Sequence, residues 1–283
     1  MNFFDLHCDT AYRCFCENLS LFSEKLSVNF NNINNLDEWH QSFAIWIEDG
    51  VPEPFVFYRK ILSDFKTKLS KKPENLTPYF MVENAELLQG DIERIGILKR
   101  DGIKSLTLTW NGENCIAGGC KTDVGLKEFG IKVIKEMNRQ KMACDLSHLN
   151  KASFYSAIQY AEYPYASHSC LEILRKHNRN ISIEQAKLIA GRGGIIGICF
   201  YPDFLPIGDV FVGIYENISV LLDAGLENNI AIGSDFDGAK MDEKLDDISK
   251  IGDLYHFLGG KSLPKTILNK IFFENAFNFY TKL

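Results

Sequence analysis

Eight short apolar runs recur along the chain, and most are separated by stretches whose apolar residues fall at helical spacing. That alternation restricts the fold severely. Strands joined through helices pair in parallel by right-handed crossovers, and eight such units can close into a barrel. The runs are Phe3 to Leu6, Ser42 to Glu48, Pro78 to Glu83, Ser105 to Trp110, Met142 to His148, Pro164 to His168, Gly194 to Phe200 and Asn229 to Asp235. Most are apolar at odd and even positions alike, as strands covered on both faces require. Helices are expected over Pro54 to Leu69, 85 to 99, Lys127 to Gln140, Lys151 to Glu162, Ser182 to Ala190 and Val210 to Gly225, with Ser182 as an N-cap. Residues 11 to 40 read as mixed and polar, with a loop over Asn31 to Asn35, and Leu245 to Leu283 as mostly helical. The expected fold class is α/β, a (β/α)8 TIM-type barrel of the metal-dependent hydrolase kind. Such barrels commonly need about 250 residues in one domain. No composition break divides this chain, so residues 1–283 are read as a single barrel domain.

Composition narrows the partners. A net charge of −6 without a basic cluster argues against nucleic acid, which needs a concentrated Lys/Arg surface. No basic-then-apolar leader and no apolar run near about 20 residues is present, so the expectation is a cytoplasmic protein with no membrane partner. The eight cysteines include no C-x-x-C pair and read as free buried thiols of a reducing compartment.

The ends of the runs carry the chemistry. The first closes on His7 and Asp9, the third on Glu83, the fifth on His148, the sixth on His168 and the eighth on Asp235 with Asp237. In a strand, residues two apart share a face, so His7 and Asp9 would project together and Cys8 away from them. In barrels of this kind the working groups sit at the C-terminal rim, where all of these fall. Three imidazoles with carboxylates suit zinc better than calcium or magnesium, which prefer oxygen-only shells. Five ligands are too many for one open catalytic zinc. Two zinc ions per chain sharing Glu83 would use them all, with His7 and Asp9 on one ion and His148 and His168 on the other. Such a pair can hold a bridging hydroxide and polarise a carbonyl, which points to hydrolysis.

The motifs Asp5-Leu-His-Cys-Asp9, Val82-Glu83, Leu106-Thr-Leu-Thr109, Asp145-Leu-Ser-His148, Ser167-His168-Ser169, Arg179-Asn180, Gly193-Gly-Ile-Ile-Gly197, Phe200-Tyr201-Pro202 and Gly233-Ser-Asp-Phe-Asp-Gly238, in this order, resemble those of the membrane (renal) dipeptidase family of dinuclear zinc peptidases. The resemblance spans essentially the whole chain. It implies that His7, Asp9, Glu83, His148 and His168 are the zinc ligands and that Asp235 is the acid–base residue. It implies that Arg179 grips the substrate's C-terminal carboxylate, a pairing that suits a guanidinium fork, and it places Trp110 and Tyr201 among the substrate-binding residues. Asp237 is expected to shape the turn. The implied activity is hydrolysis of free dipeptides by a bridging hydroxide, and the implied assembly is a homodimer. Trp110 departs from the family pattern, standing where well-known members carry a histidine. An indole N–H donates one hydrogen bond but carries no charge, so Trp110 either weakens oxyanion stabilisation or walls the pocket and narrows the substrate range. No secretion signal or lipid-anchor tail is visible, and a soluble, prokaryotic-type relative is expected. Two other readings stay open: a barrel amidohydrolase acting on a lactone or another amide, and a non-catalytic binding protein on the same scaffold.

Overall fold

The computed structural model describes residues 1–33 and 36–283. Eight parallel strands close into a barrel in sequence order: β1 (Asn2–Cys8), β2 (Glu38–Trp46), β3 (Leu76–Glu83), β4 (Ile103–Thr107), β5 (Ala143–Asp145), β6 (Pro164–Ser169), β7 (Ile196–Ile198) and β8 (Ile230–Ile232). β8 returns to β1 through the pair Asp5 and Ile232. The expected (β/α)8 barrel is therefore the observed fold. The main crossover helices are α2 (Pro54–Lys68), α3 (Glu93–Asp101), α4 (Glu128–Arg139), α5 (Lys151–Ala157), α6 (Ile183–Gly191) and α7 (Val210–Asp223). Ser182 caps α6 in a capping box with Gln185. Among the described residues no helix is long and apolar enough to cross a membrane.

Side chains alternate between two buried layers. On β2, Phe43 packs outward on Phe65 of α2 at 4.9 Å, while Ser42 faces inward and accepts a hydrogen bond from the Tyr280 hydroxyl. Burial of each such large apolar side chain contributes roughly 2–3 kcal/mol. The barrel interior holds Phe4, Leu6, Ala143, Tyr165 and Ala231, with Phe279 and Tyr280 from α10 (Asn275–Tyr280) plugging the end where the strands begin. The opposite, C-terminal mouth is left to polar groups.

Several expectations need correction. A helix absent from the sequence reading, α1 (Thr10–Cys16), follows β1 directly, and β2 begins at Glu38 rather than Ser42. Glu38 and Gln41 hide that start, because inward and outward layers both accept polar groups there. The helix expected over 85 to 99 is split into a 3-10 turn, Ala85–Leu88, and α3, which ends at Gly102 with φ +93°. Strands β2, β4, β5, β7 and β8 stop two or more residues short of the ends of their apolar runs. Turns at the mouth are buried as deeply as the ladder, so hydrophobicity does not mark where pairing ends. Asn34 and Asn35, in the expected loop over Asn31 to Asn35, lie outside the described residues.

Candidate metal centre

His7 and Asp9 do not share a strand face by simple alternation. Asp9 lies beyond β1, at the N-cap position of α1. Phe4 and Leu6 both face the barrel interior, so strict alternation would turn His7 outward. The β1–β2 register shifts between Asp5 and Cys8, and this irregularity brings His7 inward as well. β6 repeats the device: the register shifts between Ala166 and Ser169, and both Ser167 and His168 reach the site. Cys8 packs in the outer core, away from the cluster, although the strand alternation expected to turn it there does not hold across His7 and Asp9. His148 (φ +69°), Asp235 (φ +63°) and Asp237 (φ +66°) adopt left-handed backbone, a strained geometry for non-glycine residues.

These segments deliver five side chains to one place. His7 Nε2 lies 3.3 Å from Asp9 Oδ2 and 3.4 Å from Glu83 Oε2, and His148 Nε2 lies 2.6 Å from Glu83 Oε1. His148 and His168 face each other Nε2 to Nε2 at 3.0 Å. Two donor triplets result, His7–Asp9–Glu83 and Glu83–His148–His168, with Glu83 in both. Asp235 forms a third with His7 and His168, its Oδ1 lying 3.9 Å from His7 Nε2. The expected acid–base residue therefore also stands within ligand reach.

A supporting layer aims the imidazoles. Asp145 accepts from Thr107 Oγ1 and Ser167 Oγ through Oδ2, at 2.7 and 2.6 Å, and from the Ser147 and Ser167 amides through Oδ1. With its own proton on Asp145, Ser167 Oγ accepts from His168 Nδ1 at 2.7 Å and lies 3.4 Å from His7 Nδ1. Asn111 Oδ1 accepts from His148 Nδ1 at 3.0 Å. Protonation at Nδ1 leaves each Nε2 lone pair directed at the cluster, the arrangement seen behind metal-bound histidines. Asp145 and Ser167 stand within the motifs without an expected role, and Asn111 has none either. Their adjacency to His148, His168 and Trp110 was the available signal.

The donor set fits divalent cations. Facing Nε2 lone pairs 3.0 Å apart repel unless a proton or cation lies between them, and the buried Asp9 Oδ1 has no hydrogen-bond partner among the described residues. Without cations, protons must compensate. Burial, reinforced by the Glu83 charge and opposed by His7, pushes Asp9 up to about 6. Burial, with Asp9 and Glu83 adding to it and His7 and Arg179 opposing, pushes Asp235 up to about 8. Glu83 is held well below the usual range because His148 and His7 overcome its burial, whereas burial, then the neighbouring Arg179, brings His148 down to about 4.

Above the donors opens a cavity of about 740 Å³ whose lining includes Trp110, Arg179, Tyr201 and Asp235. Arg179 is buried, donates from Nη2 to the His168 carbonyl at 3.2 Å, packs over the Phe204 ring at 5.3 Å and leaves Nε without a partner among the described residues. The Tyr201 hydroxyl donates to Asp203 at 2.8 Å. Asp237 is engaged elsewhere: it accepts from Thr10 Oγ1 at 2.6 Å, the Ser27 amide at 2.8 Å and Arg13 Nη1 at 3.1 Å, and so ties the β8 loop to the start of α1. Asn111→Ala tests the supporting layer. It should weaken ion binding at the His148 side 10- to 100-fold, read by competition with a chromogenic chelator; unchanged affinity would remove Asn111 from the centre.

A closed parallel barrel with buried imidazoles and carboxylates at its C-terminal mouth defines the class: a metal-dependent barrel hydrolase. A family model for membrane dipeptidases (peptidase family M19) matches residues 62–282, most of the chain. The chain belongs to that family. The match begins after β2, so the place of His7 and Asp9 in the site rests on the geometry above. Over 170 residues the chain is 35% identical to an uncharacterized dipeptidase of Schizosaccharomyces pombe, an alignment covering 54% of this chain and 40% of that protein. Its fold matches a solved M19 metallo peptidase, dipeptidase AC, with a TM-score of 0.89 at 19% identity, over 100% of this chain and 98% of the other. It also matches a Rhodobacter sphaeroides metallo peptidase liganded with a phosphinate mimic of L-Ala-D-Ala, with a TM-score of 0.87 at 18% identity, over 100% and 99% of the two chains.

Proposed function

We propose that this protein hydrolyses the peptide bond of free dipeptides using two zinc ions, with His7 and Asp9 holding one, His148 and His168 the other, and Glu83 shared. The observation that carries the reading is the pair of donor triplets meeting at Glu83 beneath a cavity that also contains a buried, incompletely satisfied guanidinium. When bound, two such ions supply an acidified water as nucleophile and polarise the scissile carbonyl. The chain's own residues do the rest. Arg179, anchored on the His168 carbonyl, has donors to spare for a substrate carboxylate and fixes it at a set distance from the donors. A clamp that close favours very short peptides. Asp235, at the cavity floor beside His7, takes a proton at its carboxylate and returns it to the leaving amine. Trp110 offers no charge to the developing oxyanion, so that stabilisation falls to the metal centre. The phosphinate dipeptide mimic bound by the Rhodobacter sphaeroides relative supports the substrate class. A cytoplasmic setting is likewise our proposal, supported by eight cysteines that are all free.

Two measurements test this. Zinc-reconstituted protein should contain two ions per chain by atomic absorption and should cleave dipeptides in preference to N-acyl amino acids and lactones. A lactone preference would favour the amidohydrolase reading instead. Arg179→Ala should raise KM for dipeptides on the order of 100-fold while changing turnover of the corresponding dipeptide amides far less. Equal losses on both substrates would remove the clamp.

A further inference from the structure

Apart from the other aromatic lining residues Tyr201 and Phe204, the side chains of Tyr12, Trp46 and Trp110 line one part of the cavity. They form a continuous edge-to-face chain, with Tyr12 and Trp46 centroids 4.6 Å apart at 72° and Trp46 and Trp110 centroids 5.0 Å apart at 65°. Each ring is only partly buried. Trp46 closes β2 and pairs in register with Glu83, and Trp110 follows β4, so the wall stands over the end of β3. In a closed ring of eight strands, β3 lies opposite β7. Arg179 and Tyr201 come from the segments after β6 and β7. The wall and the guanidinium therefore face each other across the donors.

We infer that Tyr12, Trp46 and Trp110 form the subsite for the side chain of the dipeptide's N-terminal residue, and that this subsite selects a flat aromatic ring. The inference rests on the dipeptidase reading. With the C-terminal carboxylate on Arg179 and the scissile carbonyl over the donors, the N-terminal residue is the part of the substrate that reaches β2 to β4. Rings inclined to one another leave both a face and an edge for an incoming ring, and aromatic pairs favour offset or edge-to-face contact with centroids about 4.5–7 Å apart. An aromatic side chain also brings a large contact area with little rotamer freedom to lose. An alanine side chain would leave the wall wet. Lys121, exposed on the loop after β4, lines the cavity together with Arg13, Lys176 and Lys240, and these are the groups that would instead favour an acidic side chain.

The test uses the full, zinc-loaded chain with phenylalanyl-alanine, alanyl-alanine and glutamyl-alanine, which share a C-terminal residue. kcat/KM for the phenylalanyl substrate should exceed the other two by at least about tenfold. Trp46→Ala and Trp110→Leu should each reduce that ratio to about twofold or less, while Trp46→Phe should retain most of it. Binding supplies a second readout, because two of the three tryptophans lie in the wall and the third, Trp39, is buried in the outer core. Tryptophan emission should change on titration with a phosphinate analogue of the phenylalanyl dipeptide and much less with the alanyl analogue. Equal or better cleavage of the alanyl or glutamyl substrate overturns the subsite and leaves the dipeptidase reading standing. So does a preserved ratio in variants that keep their zinc and their melting temperature. Failure to cleave any of the three dipeptides overturns the dipeptidase reading itself. Should Trp46→Ala not fold, Trp46→Phe and Trp110→Leu carry the comparison.

Discussion

On the proposed two-ion reading, Glu83→Gln is expected to strip both ions from the centre and lower dipeptide hydrolysis on the order of 10³-fold or more, since metal ions supply several kcal/mol of transition-state charge stabilisation. Glu83 is the one donor common to both triplets: Oε1 approaches His148 at 2.6 Å and His168 at 4.0 Å, and Oε2 approaches His7 at 3.4 Å. The amide keeps the shape and removes the charge. Its NH2 group is a donor and cannot ligate. The one remaining oxygen is neutral and can face only one ion, so neither the His7–Asp9 pair nor the His148–His168 pair keeps a charged shared ligand. Two effects on stability oppose one another: the variant loses the pairing with His148 and His7 that holds Glu83 ionised in the fold, and it relieves the buried Asp9 and Asp235 carboxyls of a neighbouring charge. The metal-free variant should melt within about 5 °C of the metal-free parent. Elemental analysis with a thermal melt checks both halves, and a variant that keeps two ions and full turnover would refute the shared-ligand arrangement.

Gly233→Ala should damage the centre from a distance. A Cβ at Gly233 would sit 1.7 Å from the Ser167 carbonyl oxygen, 2.8 Å from its carbon and 3.2 Å from the His168 Cα, all backbone atoms that cannot swing aside. The irregular backbone of β6 that brings both Ser167 and His168 to the mouth leans on this glycine and on Gly197, where an added Cβ would meet the same oxygen at 2.0 Å. Overpacking of a buried site costs about 1–3 kcal/mol and sometimes more, and with backbone on both sides we expect the upper end. For a chain of this size that is a fall in Tm on the order of 10 °C. Zinc binding should weaken further, since His168 moves with the displaced strand. Gly252→Ala, in helix α8 (Ile251–Gly260) with nothing within 4 Å of the added carbon, is the control and should be neutral or slightly stabilising. A Gly233→Ala protein with parental Tm and zinc affinity would show that the tight contact is not needed to hold β6.

Much of the fold was legible because parallel barrel strands are covered on both sides, and the apolar runs that result are visible without coordinates. What escaped was whatever burial does not mark. α1 is seven residues long with a mixed composition, and the polar start of β2 conceals a strand whose side chains alternate between two packed layers. At the site, the five ionisable residues at run ends were legible as chemistry. The orienting groups were not, since Asp145, Ser167 and Asn111 are ordinary polar residues until their hydrogen bonds to neighbouring groups are known. Tyr12 and Trp46 lie 34 positions apart in the chain and carry no pattern that links them.

Residue types and spacing by themselves determined that eight covered strands would form a ring and that imidazoles and acids would stand at the ends of several of them. Tertiary structure alone decided which of those groups meet. His7 and His168 reach the centre through irregularities in β1 and β6 rather than through strand alternation, and glycines in β7 and just after β8 make room for one of them. The physical reason is that hydrophobic burial specifies which segments pack together and tolerates small shifts in register, whereas ion coordination depends on tenths of an ångström set by strained turns and backbone contacts.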